Sequence, residues 1–284
     1  MLEGVPDMDA ATAPRITLLE GFTLRLGGNG TGAEVGELPR GVQRLVAHLC
    51  LSDRPARTVI AGHLWPDVPE EHAHGSLRSA LWRLHKAVPG LIEVSGSAIC
   101  LAPGVHVDIR ELRDWARRAL DPRLGVEEVA GQDVELHGDL LPGWYDDWVL
   151  LERERLRQLL MHSLEAMAVK LMVAGRHGEA LQAAYSAMRA EPLRESAHRT
   201  VIRVHLAEGN LAEAYRAYDL FRELLHDELG VHPTEQMGRL LRQIDRPRRR
   251  SRIPVQDRGP IATAEDAAPP PDDVLAGTPA RTRR

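Results

Sequence analysis

Residues 74–88, HGSLRSALWRLHKAV, form an amphipathic segment with two distinct faces. Apolar side chains recur there at helical spacing and predict a buried stripe made of Leu77, Leu81, Leu84 and Val88. The outer faces carry hydroxyl, basic and aromatic side chains: Ser76, Arg78, Ser79, Trp82, Arg83 and Lys86. Solvated helix faces usually mix acidic with basic residues, yet none of residues 72–88 is acidic. The segment therefore predicts a helix whose outer face contacts a partner, with simple solvation as the alternative.

The elements around this helix follow the order of a small α+β domain. Residues 15–26, RITLLEGFTLRL, alternate as strands do and lead into the turn-rich GGNGTG. Two helices follow, one with an apolar face over 42–49 and one over 57–65, with Val59, Ile60 and Leu64 directed inward. Two apolar runs around 95–97 predict a hairpin. This is the order of a winged helix-turn-helix, whose third helix enters the major groove of DNA.

Several side chains of this domain are candidate DNA contacts. Arg78 and Arg83 are expected to bind guanine or phosphate, the alternative being half-buried arginines bonded to the preceding helix. Trp82 is expected either to touch a thymine methyl or a sugar, or to fold over the hairpin as extra core. The hairpin tip has no positive charge, so we expect it to approach phosphate through backbone N–H groups and the hydroxyls of Ser95 and Ser97. Further phosphate candidates, with ordinary surface exposure as the alternative, are Arg40 and Arg44.

From residue 107 onward the sequence predicts helices and an internal repeat. AGRHGEALQAA at 174–184 aligns with EGNLAEAYRAY at 208–218, so that Ala180 corresponds to Ala214. The offset of 34 residues is the tetratricopeptide period, and small residues at these positions let paired helices approach closely. The predicted fold class is therefore mostly α: an N-terminal α+β winged helix-turn-helix followed by an all-α, tetratricopeptide-like domain.

Two longer patterns resemble a known family. LWPD at 64–67, LRSALWRLHKAV at 77–88 and the hairpin resemble the DNA-binding domain of the SARP family, actinobacterial pathway activators whose first domain is similar to the OmpR and PhoB winged helix. Trp82 and His85 depart from the family pattern, which bears on base preference rather than on the fold. Residues 138–156, GDLLPGWYDDWVLLERERL, and 218–233, YDLFRELLHDELGVHP, are similar to the bacterial transcriptional activator domain, BTAD, that follows in that family.

The chain is expected to divide into four parts. These are a disordered N-terminus at 1–14, the winged helix at 15–107, the helical domain at 108–245 and a disordered, Arg- and Pro-rich tail at 246–284. The two middle parts are long enough for cores of their own. Residues 15–107 carry 9 basic and 8 acidic side chains, whereas 108–245 carry 18 basic and 25 acidic ones. Any nucleic-acid binding must therefore rest on a local patch, and the helical domain suits a protein partner better.

Other classes of function find little support in the sequence. The pair His72 and His74 lacks further ligands at usable spacing, Cys50 and Cys100 are expected to be buried thiols, and we expect neither a metal nor a cofactor. A GxxxxGK[ST] phosphate loop and a Gly-x-Ser-x-Gly elbow are both missing from the sequence, so we expect no enzyme. No signal peptide or membrane-spanning run is found, which predicts a cytoplasmic, nucleoid-associated protein.

Two functions remain from the sequence. The first is a transcription activator, for which the SARP resemblance implies direct-repeat sites in double-stranded promoter DNA, contact with RNA polymerase holoenzyme including its sigma factor, and control of a secondary-metabolite pathway. A homodimer on DNA is expected, because a second protomer could cap an array of fewer than three repeats. A monomer capped internally by the helix at 148–174 is the alternative to that dimer. The second function is a repeat-based adaptor whose winged helix is only structural.

Overall fold

The computed structural model describes residues 13–27, 32–130 and 138–245. The expectations for residues 1–12, for most of the GGNGTG turn and for the tail 246–284 lie outside this range. Within it, no helix combines the length and the apolar character that crossing a membrane requires. The described part contains six strands: β1 (Arg15–Thr17), β2 (Thr23–Leu26), β3 (Ala33–Glu34), β4 (Ile92–Ser95), β5 (Ala98–Leu101) and β6 (His106–Val107).

Four of the strands form a small sheet, and two of them, β1 and β2, lie in the predicted strand segment 15–26. Their order is β3-β2-β1-β6, with β1 antiparallel to β2 and parallel to β6. Ile16 pairs with Leu24 on one side and with Val107 on the other, and all three side chains are buried. Alternation therefore directs one face of the sheet into the core, as the sequence pattern predicts.

Three helices lie between the sheet and the hairpin: α1 (Arg40–Leu51), α2 (Arg57–Leu64) and α3 (Glu70–Ala87). Pro39 and Pro69 precede α1 and α3, positions where the chain is not yet helical. In α2 the buried stripe is formed by Ile60, Ala61 and Leu64. Val59 is exposed, so its predicted inward orientation is wrong: it lies about 100° around the helix from Ile60, outside the stripe.

The hairpin of β4 and β5 is the predicted wing. Ser95 pairs with Ala98 across a two-residue turn in which Gly96 has φ 61°, a conformation that favours glycine. The N-terminal end of α2 holds this hairpin in place, because the amide of Arg57 donates to the carbonyl oxygen of Ser97 at 3.0 Å. Cys50 is buried as predicted, whereas Cys100 is only half-buried because it alternates with inward residues of β5.

Among the described residues after β6 there are seven helices: α4 (Asp108–Leu120), α5 (Val126–Ala130), α6 (Asp147–Val173), α7 (His177–Ala190), α8 (Glu195–Glu208), α9 (Leu211–Leu229) and α10 (Glu235–Asp245). The predicted repeat has a structural counterpart. Gly175 and Gly209 precede α7 and α9 with φ of 75° and 86°, and Ala180 and Ala214 are both fully buried. The small side chains let neighbouring helices pack closely, in agreement with the predicted mostly helical fold class.

The core does not stop at the predicted boundary after residue 107. One apolar cluster extends from Ile16 in the sheet to Val204 in α8, and α4 packs against β1, α1 and α6. This cluster is therefore shared by the two regions, while a second buried cluster, which includes Ile202, Phe221 and Leu225, lies within the helical region alone. No linker separates the two regions, because α4 begins immediately after β6 and buries its apolar face between them.

Hydrogen bonds from α4 reinforce this junction. Arg110 donates to the carbonyl oxygens of Leu49, Cys50 and Ser52 at 2.8, 3.1 and 3.3 Å. Arg113 donates to that of Leu51 at 2.9 Å. The last carbonyl groups of a helix have no partner within it, so these two arginines supply the C-terminal cap of α1 from another region of the chain.

Asp108 ties the start of α4 to the sheet. One carboxylate oxygen accepts hydrogen bonds from the amides of Leu18 and Leu19 at 2.8 and 2.9 Å, and the other accepts from Ile109. Burial raises the pKa of this carboxyl, while the three amides act to lower it and Glu111 to raise it. Asp108 therefore fixes the position of the start of α4 relative to the two residues that follow β1.

Candidate nucleic-acid interface

The outer face of α3 is open to solvent. Ala73, Leu77, Ala80 and Leu84 are buried and fix the orientation of the helix. Ser76 is half-buried, and the other five predicted contact residues of this helix are exposed: Arg78, Ser79, Trp82, Arg83 and Lys86. Neither Arg78 nor Arg83 forms an ion pair within the described part of the chain, so the structure does not bond these arginines to the preceding helix. Their guanidinium groups are available to an external anion or base.

Trp82 is 64% exposed and does not belong to the apolar core. The Nζ of Lys86 lies 5.4 Å from the centre of its ring, one helical turn away. Trp82 therefore does not fold over the hairpin as extra core, which was the alternative left open by the sequence. An indole held in solvent beside a cation presents both a flat apolar surface and a positive charge.

A cavity of about 620 Å³ runs beside this face. Its walls are the start of α1, the end of α2 and the first turns of α3, contributed by residues that include Gly41, Trp65, Arg78, Ser79 and Arg83. The hydroxyl of Ser79 donates to the carbonyl oxygen of Gly75 at 3.1 Å, which leaves its lone pairs as acceptors. Polar and basic groups of α3, together with the carboxylate of Glu71, thus line one concave surface.

The hairpin tip adds a second, uncharged surface. Ser95, Gly96 and Ser97 are all exposed, and the backbone of Ser97 is fixed to α2. Contact with DNA by the two serines stays a prediction, since nothing in the geometry selects phosphate for them.

Arg40 and Arg44 have partners on the other side of α1. The guanidinium of Arg40 lies 3.6 Å above the ring of Trp144, and Arg44 forms an ion pair with Asp146. Burial lowers the pKa of Arg40, an effect that Asp146 opposes and Arg44 increases. The structure therefore does not group these two arginines with the α3 face, and their contact with phosphate stays a prediction.

Sequence reasoning missed the arginines that join the two regions. Besides Arg110 and Arg113, Arg153 of α6 donates to the carbonyl oxygens of Leu140, Leu141 and Trp144. Leu141 in turn donates its amide to the carbonyl oxygen of Leu18, the residue after β1, at 2.8 Å, so Arg153 acts on the junction through this segment. A surface arginine and a capping arginine look alike in a sequence, so no signal could have identified them.

The described residues offer no set of three or more His, Cys, Asp and Glu side chains placed to hold a metal ion. Cys50 is fully buried, and burial raises the pKa of its thiol well above the usual range. A thiol kept neutral in this way packs as an apolar group rather than reacting.

Comparison with known proteins agrees with this arrangement. The sequence model of the bacterial transcriptional activator domain family matches residues 113–245. Regulatory protein AfsR of Streptomyces coelicolor is 30% identical over 214 residues, and AfsR of Streptomyces griseus is 28% identical over 206 residues. These alignments cover 70% and 67% of the chain, which spans only 21% of the length of each relative.

A solved structure shows the same fold. Mycobacterium tuberculosis EmbR, in complex with a low affinity phosphopeptide, matches with a TM-score of 0.59 and 18% identity, over 82% of this chain and 66% of that one. The matched share takes in both the sheet region and helices of the second region, because it exceeds the length of either alone. The chain therefore belongs to the SARP-like proteins related to AfsR, in which an OmpR-type winged helix precedes a BTAD, and it shares its fold with EmbR.

Proposed function

We propose that the chain is a sequence-specific, DNA-binding transcription activator that places α3 in the major groove. The observation that carries this proposal is the exposed outer face of α3, which has two arginines and a lysine and no acidic residue after Glu71. An adaptor with a purely structural winged helix has no need to keep that face free of acidic side chains. The relatedness to regulatory proteins supports the same choice.

The dimensions of α3 suit a groove. Its 18 residues span about 27 Å at about 1.5 Å per residue, and a helix of about 10–12 Å diameter fits a major groove about 12 Å wide. In this pose Arg78 and Arg83 bind a guanine edge or a phosphate, while Trp82 packs on a thymine methyl or a sugar. The wing follows the backbone through the amides and hydroxyls of Ser95 and Ser97.

The helical region is the proposed surface for protein partners. Its 25 acidic and 18 basic residues leave an excess of seven negative charges, which repels DNA and suits contact with RNA polymerase holoenzyme. We further propose a cytoplasmic homodimer on direct repeats of promoter DNA, with half-sites about one helical turn apart so that both protomers meet the same face of the duplex. Control of a secondary-metabolite pathway belongs to the same proposal.

Selection of bound sequences from random double-stranded DNA tests the proposal, followed by footprinting on the selected site. The expected result is one enriched motif, protected as two repeats on one face of the duplex. Absence of any sequence preference at fixed salt would sink the activator and favour the adaptor. Protection of a single half-site by a monomer would sink only the dimer. Activation itself fails if the bound protein does not raise transcription by purified holoenzyme.

A further inference from the structure

A second cavity, of about 520 Å³, lies where the end of α2 and the following loop face the start of α6. We call it the junction cleft. One wall is formed by residues 62–68, and the other by Arg44 of α1 and residues 145–148. It shares only Trp65 with the cavity beside α3. Its volume falls within the range of about 300–1,000 Å³ typical of small-molecule sites, which favour boundaries between structural regions.

The charges lining the junction cleft are mostly negative. Asp67, Asp146 and Asp147 contribute carboxylates, and Arg44 is the only Lys or Arg among the described lining residues. Arg44 is paired with Asp146, with 21% and 17% of the two side chains exposed. Asp67 and Asp147 form no ion pair within the described part of the chain and are exposed. Two carboxylates are therefore left without a cation inside a concave site.

Aromatic side chains form much of the remaining lining. Trp65, Tyr145 and Trp148 line the cleft, and the ring of Tyr145 is 79% exposed. The indole Nε1 of Trp148 is buried and has no hydrogen-bond partner. Aromatic faces attract cations, and an aromatic wall beside unpaired carboxylates is the combination that recognises organic ammonium groups.

The wall behind Trp148 adds no positive charge at neutral pH. His48 packs edge-on against Trp148, with ring centres 5.4 Å apart, and its Nε2 lies 3.1 Å from Nδ1 of His63. Burial, together with a smaller effect of the neighbouring His63, lowers the pKa of His48 to about 4. His48 is therefore neutral under ordinary conditions and does not repel a bound cation.

We propose that the junction cleft binds a small organic amine, with its ammonium group at Asp67 and Asp147 and its hydrocarbon part against Tyr145 and Trp148. Because α2 and α6 supply opposite walls, such a ligand bridges the winged helix and the helical region. Val68, which lines the cleft, is followed in the chain by Pro69 and then by the first residue of α3. The proposal does not depend on DNA binding, since it is tested on the protein alone.

Three probes that share a phenyl ring separate charge from shape: phenethylamine, neutral 2-phenylethanol and anionic 3-phenylpropionate. Each is titrated into the full chain near pH 7 by calorimetry. We expect saturable binding of phenethylamine at one site, with a dissociation constant of about 1 mM or tighter. The other two probes are expected not to saturate in the same range. Failure of phenethylamine to bind, or equal binding of all three probes, overturns the proposal.

Variants assign the binding to the cleft. Replacing Asp67→Asn and Asp147→Asn together is expected to weaken phenethylamine about fivefold, since partly exposed charges contribute modestly. Asp53→Asn, at an exposed carboxylate outside the cleft, is the matched control and is expected to leave the constant unchanged. Thermal melting of each variant shows that it is folded. Equal affinity in the double variant and the wild type means that the amine binds elsewhere and overturns the assignment.

Discussion

Removal of the Arg110 side chain is expected to destabilise the junction between the two regions. Arg110→Ala deletes three hydrogen bonds to carbonyl oxygens at the end of α1, at 2.8, 3.1 and 3.3 Å. A hydrogen bond from a charged donor contributes about 1.5–3 kcal/mol, and the longest of the three contributes least. Water recovers part of the loss at a half-buried site, so we expect a decrease in unfolding free energy of about 2–4 kcal/mol.

The matched control is Arg117→Ala on the same helix. Its side chain is 74% exposed and pairs with Asp114, three residues earlier, so the expected loss is about 0–0.5 kcal/mol. Urea unfolding followed by circular dichroism measures both variants, and the midpoint shift is converted with the slope of the transition. An Arg110→Ala loss no larger than that of Arg117→Ala would refute the capping role of Arg110 at the junction.

Three further predictions concern single sites. Trp82→Ser is expected to lower DNA affinity without lowering the melting temperature, because the ring is exposed; a lower melting temperature would instead place it in the core. Alanine at Arg44 is expected to leave the salt dependence of DNA binding unchanged, because Asp146 already pairs with its guanidinium group; a loss of about one unit of slope would instead make Arg44 the phosphate contact that the sequence suggested. His48 has a folded pKa of about 4, below its usual 6.5, so the folded protein binds fewer protons than the unfolded chain between these values. The free energy of unfolding is therefore expected to fall as pH drops from 6.5 toward 4, and His48→Gln should make this fall smaller. A pH profile in the variant equal to that of the wild type would contradict the lowered pKa of His48.

Patterns of local spacing predicted most of the elements. The stripe of Leu77 and Leu84 fixed which face of α3 is buried, because helical periodicity determines orientation once one face is apolar. The turn at 95–97 predicted the wing, since glycine there permits the positive φ that a tight hairpin requires. The repeat at 34 residues predicted the equivalent packing of Ala180 and Ala214.

Contacts between distant residues could not be predicted in this way. Arg110 caps a helix about 60 positions earlier, and the bond goes to backbone carbonyl groups, which every residue has. From the sequence, Arg40 and Arg44 are candidate phosphate contacts, because their partners at 144–146 lie about 100 positions later and local spacing gives no sign of them. The continuous core and the junction cleft likewise depend on how two regions pack, which periodicity within either region does not specify.

Binding of the selected DNA site by an Arg78→Ala, Arg83→Ala double variant tests the central claim most directly. The matched control is Arg216→Ala with Arg222→Ala, which removes the same charge from exposed positions of α9. At fixed salt we expect the α3 variant to lose about 1–3 kcal/mol of binding free energy per arginine. If the guanidinium groups bind bases, the loss is seen only with the specific site. If they bind phosphates, it is seen with every DNA sequence. The α9 control is expected to bind as the wild type does. Equal affinity of the α3 variant, the control and the wild type for the specific site would contradict the placement of α3 in the groove.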